Sequence, residues 1–315
     1  MSRKVTFEDT LRGLMGGQQE ALLRKLFRAA GDELGGKEGF EAILRDELAI
    51  QLVDATIKIV DANGRFIPLK GMKSGGDYVE PNRRFTLVQP QVNPVAILAR
   101  LQQFFSGQTF VSVEEFIRRA AELLEQIQTM KQMKGLLNGV YFPICLPQLD
   151  ASDYDYALER VFLDAVKRSY EEKFPIRTFT NYRANTLKGN VGVVEESRHG
   201  QLIEKMGHGP VVGIYFPNPM QGFSIPADRR LIQVCPEGFL LSGAIDTATA
   251  MVAMPEVLAR DVNTPVLDCA ANTWQSSEFS LDFFASDGGA NFDNRNLDAN
   301  ENYSGGVLFV GKFLQ

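Results

Sequence analysis

The sequence predicts an α+β fold, in which a helical N-terminal part precedes a strand-rich C-terminal part that surrounds a buried helix. Apolar residues recur at helical spacing through much of residues 1–136, whereas short apolar runs bounded by Gly and Pro dominate residues 137–315. The third observation is the stretch 244–254, which reads AIDTATAMVAM and has almost no polar face. A helix of this composition is expected to be buried on most of its sides.

We predict two regions, because a chain of 315 residues is long enough for about two domains. Residues 1–136 form a mainly helical region with a small hairpin, and residues 137–315 form the α+β, strand-rich region. The boundary is placed between Gly135 and Gly139.

In the first region, helices are predicted within residues 6–31 and 40–53, and a hairpin over 56–69 turns at Asn63-Gly64. A short strand is expected at 85–88. Pro94 is expected to open a helix that ends near Phe105.

The clearest helix of the first region spans residues 113–134. Ser112 is placed to cap it, and Glu115 would complete a capping box. Because its apolar residues lie on one face, we expect this helix to pack onto the core or a partner. Those residues are Phe116, Ile117, Ala120, Leu123, Leu124, Ile127 and Met130.

Residues 139–143 and 213–217 read GVYFP and GIYFP, an echo that either marks a duplication or arose by chance. Both are predicted to be strands. Proline lacks the N–H that a central strand needs, so both are expected at sheet edges or strand ends. A long helix is predicted from Ser152 to Lys173, and short strands follow at 177–180 and 191–194.

Around the apolar helix, residues 231–235 and 239–241 are predicted to pair as a hairpin across a Pro-Glu-Gly turn. Asp246 is placed to cap the apolar helix, and Pro255 to open the next helix. Further strands are predicted near 279–283 and 307–314, with a long polar loop at 286–304 between them.

The composition is typical of a globular protein in water, with 44% hydrophobic and 23% charged residues. The first residues lack the apolar core of a signal peptide, and no run reaches membrane-spanning length. Cys145, Cys235 and Cys269 are far apart in apolar surroundings, which favours buried, reduced thiols. We therefore expect a cytoplasmic protein with no membrane partner.

The negative charge is concentrated at one end of the chain. Residues 251–315 hold 3 Lys/Arg and 9 Asp/Glu, a net of −6, whereas residues 1–250 hold 30 of each and balance. Phosphate binding needs the opposite sign, so we do not expect a nucleic-acid partner there. An acidic surface would suit a basic protein partner or a cation.

The two histidines lie in the acid-rich segment 195–209 and are candidate metal ligands. Glu196 precedes His199 by three residues and Glu204 precedes His208 by four. On a helix each pair would share a face and could ligate zinc or iron. Three glycines in the segment favour a surface loop without metal instead.

A second candidate metal site lies in the polar stretch 287–302. Asp293 and Asp298, with two asparagines at similar spacing, offer oxygen ligands for calcium. Glu301 stands where an EF-hand needs Gly, and Asx-rich turns have the same composition without a metal. No cofactor is expected.

The sequence contains none of the common catalytic motifs for serine, cysteine, metal or dinucleotide chemistry. Basic and aromatic residues mix in the segment 174–188, which could contact nucleic acid or form a surface strand. Our leading hypothesis is therefore a non-enzymatic structural subunit of a homomeric assembly, such as a shell, sheath or tube. The alternative is a small-molecule enzyme that uses the His199/His208 segment, which a pocket bringing both histidines to buried carboxylates would favour.

Overall fold

The computed structural model describes residues 59–150 and 153–311. The helices predicted within residues 1–58, Ser152 and the end of the last predicted strand lie outside these ranges. The chain divides into two compact units, Met1–Thr56 and Ile57–Gln315, and every described residue belongs to the second. The predicted boundary at 136/137 lies inside this unit.

The α+β class predicted from the sequence is confirmed. Helices precede and cover a mixed sheet of eight strands, and a separate sheet has two strands. The helices are α1 Pro94–Phe104, α2 Val113–Thr129, α3 Tyr154–Ala157, α4 Leu163–Lys173, α5 His199–His208, α6 Ile225–Gln233, α7 Ala244–Ala253 and α8 Pro255–Leu258. A π-helical turn, Leu158–Phe162, joins α3 to α4, and 3₁₀ turns lie at Lys134–Asn138 and Glu195–Ser197.

The large sheet is mixed and is centred on the last strand. Its order is β1-β4-β10-β6-β8-β9-β2, and β5 pairs with the second half of β10. The β10–β6 and β2–β9 pairs are parallel and the others antiparallel, while β3 and β7 form the small sheet. The strands are β1 Phe142–Leu146, β2 Thr178–Asn181, β3 Val191–Val193, β4 Val211–Gln221, β5 Phe239–Leu241, β6 Val266–Cys269, β7 Asn272–Trp274, β8 Phe279–Ser286, β9 Gly289–Asn296 and β10 Tyr303–Phe309.

Helix α7 is the buried helix that the sequence predicts. All ten of its residues are buried, and it packs against α1, α4 and β1. The N–H of Gly243 donates to the Asp246 carboxylate over 2.8 Å. Asp246 therefore caps the helix from inside its first turn. The next helix, α8, begins at Pro255 as predicted.

The predicted hairpin before α7 is wrong, because residues 231–233 are the end of helix α6 and residues 234–235 follow it. The Ser224 hydroxyl caps α6 by accepting from the N–H of Ala227 over 3.3 Å, and Pro226 lies in its first turn. The apolar residues 231–233 are therefore the C-terminal end of a helix that begins at Ile225. β5 pairs with β10 instead.

The predicted polar loop at 286–304 is also wrong. It contains strand β9, which pairs with β8 along its whole length. Ala290 and Phe292 are buried, and the polar side chains of Asp293 and Arg295 form ion pairs. β9 is polar in composition because side chains such as Asp293 and Arg295 have ion-pair partners within the fold, so polar residues here do not indicate a loop.

Helix α2 is one-sided and capped by Ser112, which accepts from the N–H of Glu115 over 3.2 Å. It ends at Thr129, earlier than predicted. The Glu115 carboxylate binds Arg118 and Arg119.

No strand forms at 85–88. The predicted hairpin near Asn63-Gly64 forms its turn, but its two arms are joined by a single bridge between Val60 and Phe66.

The two GxYFP segments are neighbours in the sheet. Phe142 lies opposite Tyr215, and the strands run antiparallel. β1 is an edge strand, as its proline predicts, but β4 lies inside the sheet between β1 and β10. β4 accommodates Pro217 and Pro219 because its register with β10 shifts between Gly305 and Val307.

Candidate functional site

A groove of about 930 Å³ lies between α2, the end of α5 and the ends of β4 and β10. We call it the α2/α5 groove. Its α2 wall extends from Arg118 to Thr129, about 17 Å of helix, and Met130 follows. Its floor is apolar and includes Leu123, Val211 and Val212.

The α2/α5 groove carries a net positive lining. Arg118, Arg119 and Lys205 line it, and Glu122 is the single acidic residue in the described part of the lining. Partial burial, and secondarily the charge of Arg119, lower the pKa of Lys205. Glu115, outside the lining, offsets part of the charge through its ion pairs with both arginines. The groove can therefore hold an acidic segment that has apolar side chains.

A buried polar centre lies below the start of α7. The Tyr154 hydroxyl lies 3.3 Å from Nε2 of His199 and donates to Oδ1 of Asn272 over 3.1 Å. Nδ1 of His199 is 3.7 Å from Oδ1 of Asp246. Tyr154 comes from α3, His199 from α5, Asp246 from α7 and Asn272 from β7, so four elements meet here.

Burial controls the titration of this centre. It lowers the pKa of His199 to about 4 and raises the pKa of Asp246 to about 7, although the Gly243 N–H opposes the second shift. The histidine is therefore neutral at neutral pH. Neither His199 nor Asp246 lines the α2/α5 groove or the second pocket described below. The geometry is that of a polar network that fixes the start of α7.

A second set of buried acids lies in the sheet and in α6. Nη1 of Arg295 donates to both carboxylate oxygens of Asp268, over 3.0 and 3.1 Å. Burial, and then the charge of Asp268, raise the pKa of Asp282 to about 8 and that of Asp228 well above its ordinary value. Neither Asp228 oxygen has a hydrogen-bond partner within the described ranges. Sequence reasoning missed this set, although an acid inside an apolar strand, as in FSLDFF, was the available signal.

The structure separates the candidate metal ligands around the histidines. The segment predicted as a surface loop is helix α5, and that prediction is wrong. His199 is buried while Glu196 is exposed, so the two do not meet. Glu204 and His208 are one turn apart and exposed. Across residues 59–150 and 153–311, no group of three His, Cys, Asp or Glu side chains is arranged to hold a metal.

The candidate calcium ligands are bound by protein groups. Asp293 accepts from Nε of Arg183 over 2.6 Å, and Asp298 accepts from Nδ2 of Asn296 over 2.8 Å.

In the basic and aromatic segment 174–188, Arg177 lies over the Phe174 ring and Arg183 over the Trp274 ring. Both guanidinium groups are thus engaged within the molecule. All three cysteines are free and buried, as predicted.

No known protein family, curated protein or solved structure matches this chain. Among the helices of the described ranges, none is both long and apolar enough to cross a bilayer.

Proposed function

We propose that this protein is a non-enzymatic subunit of a homomeric assembly, such as a shell, sheath or tube, in a cytoplasmic setting. In this assembly the α2/α5 groove of one copy receives an acidic segment of the next. The observation that carries the proposal is a positively lined groove on a chain whose net charge is −6. Opposite charges on two surfaces steer association and set register.

Only some of the acidic residues in 251–315 are placed where they could contact the groove of a second copy. Two of the nine acids of residues 251–315, Asp268 and Asp282, are buried, and three others form ion pairs at the surface. The exposed acids without an ion pair in the described ranges are Glu278, Asp287, Asp298 and Glu301. The sequence predicts a basic protein partner for residues 251–315, and we propose that this partner is the α2/α5 groove of another copy.

The positions of these surfaces favour a head-to-tail contact. Asp298 and Glu301 precede the first residue of β10, whereas the groove includes Val310, just after its last residue. A seven-residue strand separates the two by about 23 Å. A contact between different surfaces of identical copies can repeat without closing, as in a tube or filament.

In the proposed assembly, neighbouring copies contact each other through side chains and do not join by pairing strands at the edges of the large sheet. Gln89 hydrogen-bonds to the backbone of Tyr141 just before edge strand β1, and the N–H of Gln148 binds Thr109 just after it. At the other edge, the N–H of Phe179 donates to Glu171. The sheet edges are therefore short and protected.

The enzyme alternative lacks the geometry that would favour it. His199 and His208 lie at opposite ends of α5, about 14 Å apart along the helix. Only His199 is near a buried carboxylate, and only His208 lines the groove.

Light scattering on size-fractionated protein, over a range of concentration and salt, tests the assembly. We expect particles heavier than one 35.0 kDa chain at low salt, and dissociation as salt screens the contact. Arg118→Glu/Arg119→Glu should shift the protein to monomer. Lys167→Glu, an exposed charge reversal on α4 outside the groove, should not. A monomer at every concentration, or equal effects of both variants, would overturn the proposal.

A further inference from the structure

A second pocket, distinct from the α2/α5 groove, has the features of a small-anion site. It has a volume of about 330 Å³, within the range of small-molecule sites. Arg65 and Arg83 line it, together with Asn63, Asn138 and Asn218. We call it the two-arginine pocket. Among the residues that the structure describes, no acidic side chain lines it.

The guanidinium group of Arg65 is only partly satisfied by the protein. One of its nitrogens donates to Oε1 of Gln221, a neutral amide, over 3.3 Å. Partial burial, and next the charge of Arg83, lower the pKa of Arg65, although Asp61 and Glu80 oppose this. Two cations held together at a partly buried site lower the free energy of binding an anion between them.

The nearby carboxylates have other partners. Asp61 accepts the backbone N–H groups of Asn63 and Arg65 over 2.7 and 2.9 Å, which fixes the turn. Glu80 pairs with Arg83 over 2.9 Å, but this pair is exposed, with 69% of the arginine side chain accessible. An exposed ion pair contributes little free energy, so Arg83 can exchange Glu80 for a ligand.

The remaining walls supply neutral donors and an apolar surface. The side-chain amides of Asn63, Asn138 and Asn218 form no hydrogen bond within residues 59–150 and 153–311. Leu87, which is partly exposed, provides an apolar surface on the same pocket, whereas Phe216 and Pro219 are buried behind it. A fork of guanidinium donors beside free amides and an apolar side chain matches an oxyanion attached to an apolar group.

The backbone holds this arrangement in place. Gly64 has a φ of +80°, and a Cβ there would lie 2.4 Å from the amide nitrogen of Gly139. Only glycine allows the turn that carries Arg65 to pack so closely against the segment after Asn138. The pocket is thus pre-formed by the fold.

We propose that the two-arginine pocket binds the phosphate group of a small phosphate ester, with Arg65 and Arg83 on the phosphate oxygens and Leu87 against the organic part. This site is separate from the proposed assembly contact, and either can fail without the other.

Titration calorimetry with phenyl phosphate, inorganic phosphate and phenol tests the proposal on the intact protein. We expect phenyl phosphate to bind more tightly than inorganic phosphate, and phenol not to bind. Arg83→Gln, at an exposed side chain that the fold does not need, should weaken phenyl phosphate at least about ten-fold, since one charged hydrogen bond is lost. Arg84→Gln, the exposed neighbour outside the pocket, is the matched control and should change affinity less than about two-fold.

Arg65→Gln should weaken binding by at least the same factor, with its thermal melting measured in parallel to confirm folding. Absence of phenyl phosphate binding at millimolar concentration would overturn the proposal. Equal weakening by Arg83→Gln and Arg84→Gln would also overturn it, because the effect would then reflect general surface charge.

Discussion

At the residue scale, the buried polar centre depends on a glycine. Gly243 precedes α7, and a Cβ there would lie 2.7 Å from the His199 ring and 2.8 Å from Oδ1 of Asn272. Both neighbours are buried and hydrogen-bonded, so neither can move aside without losing a partner. The absence of a side chain at Gly243 is what lets the centre close.

We predict that Gly243→Ala destabilises the fold by about 1–3 kcal/mol, the usual effect of overpacking a well-filled interior. Gly200→Ala is the control, because Gly200 is exposed in α5 with nothing within 4 Å of its Cβ position. That change should be neutral or stabilising by up to about 1 kcal/mol, since Ala favours helix. Urea unfolding of both variants measures the difference, and a neutral Gly243→Ala would contradict the packing described.

The sequence could not reveal this centre, although it contains the residues. His199 and Asp246 are 47 positions apart, and Tyr154 and Asn272 lie further out on either side. Nothing in the spacing indicates that four separate elements bring them together. The histidine pattern indicated a metal or a surface loop, whereas burial makes His199 part of the interior.

At the element scale, α7 shows what composition predicts well. An eleven-residue stretch without a polar face specifies both a helix and its burial, because no solvent-exposed orientation would suit it. The stretch before it was ambiguous. A five-residue apolar run fits a strand or the end of a helix, and the deciding cap at Ser224 lies seven residues upstream.

We predict that Val252→Ala in α7 destabilises the protein by roughly 2–3 kcal/mol, through lost burial and the cavity left behind. Val95→Ala in α1 is the matched control, because that valine is 48% exposed. It should be nearly neutral, since little apolar area is lost and Ala has the higher helix propensity. Chemical unfolding of both variants checks this, and equal effects would refute the central position of α7.

The groove also could not be read from the sequence. Its walls come from α2, α5, β4 and β10, which are distant in the chain. The one-sided face of α2 predicted packing on the core or a partner, and the structure shows the packing on the core. A partner on the adjacent part of the helix surface remains our proposal. The two-arginine pocket was hidden for the same reason.

At the scale of the whole molecule, the interior formed by residues 59–150 and 153–311 holds four carboxyl groups and a single buried guanidinium group. Asp228, Asp246, Asp268 and Asp282 are buried, and burial raises the pKa of each. The folded protein therefore retains protons that the unfolded chain has released. Stability is linked to pH through this difference.

We predict that stability falls as pH rises from about 4 toward 8, because the pKa of Asp246 is raised to about 7 and that of Asp282 to about 8. His199 opposes this below about pH 6.5, since its pKa is lowered to about 4 and its proton uptake favours the unfolded chain. The decline should therefore be steepest near pH 6.5, at up to about 1.4 kcal/mol per pH unit for each proton, and should level off as the pH passes the folded pKa values of about 7 and 8.

Unfolding free energies at half-unit pH intervals measure this slope. Asp282→Asn keeps the shape of the protonated acid and should flatten the decline, whereas Asp287→Asn, in the exposed turn between β8 and β9, should leave it unchanged. Stability that rises between pH 6.5 and 8 would show that these carboxyl groups are ionised in the fold.

The central place of β10 also bears on how the protein is made. It is the last strand of the described chain, yet it joins β4, β5 and β6. During synthesis on a ribosome, β4, β5 and β6 emerge before β10, the strand with which each of them pairs. Their closing contacts span large loops, which slows folding. The nascent protein thus carries unpaired strand surfaces until β10 has been synthesised, and chaperone binding would matter most in that interval.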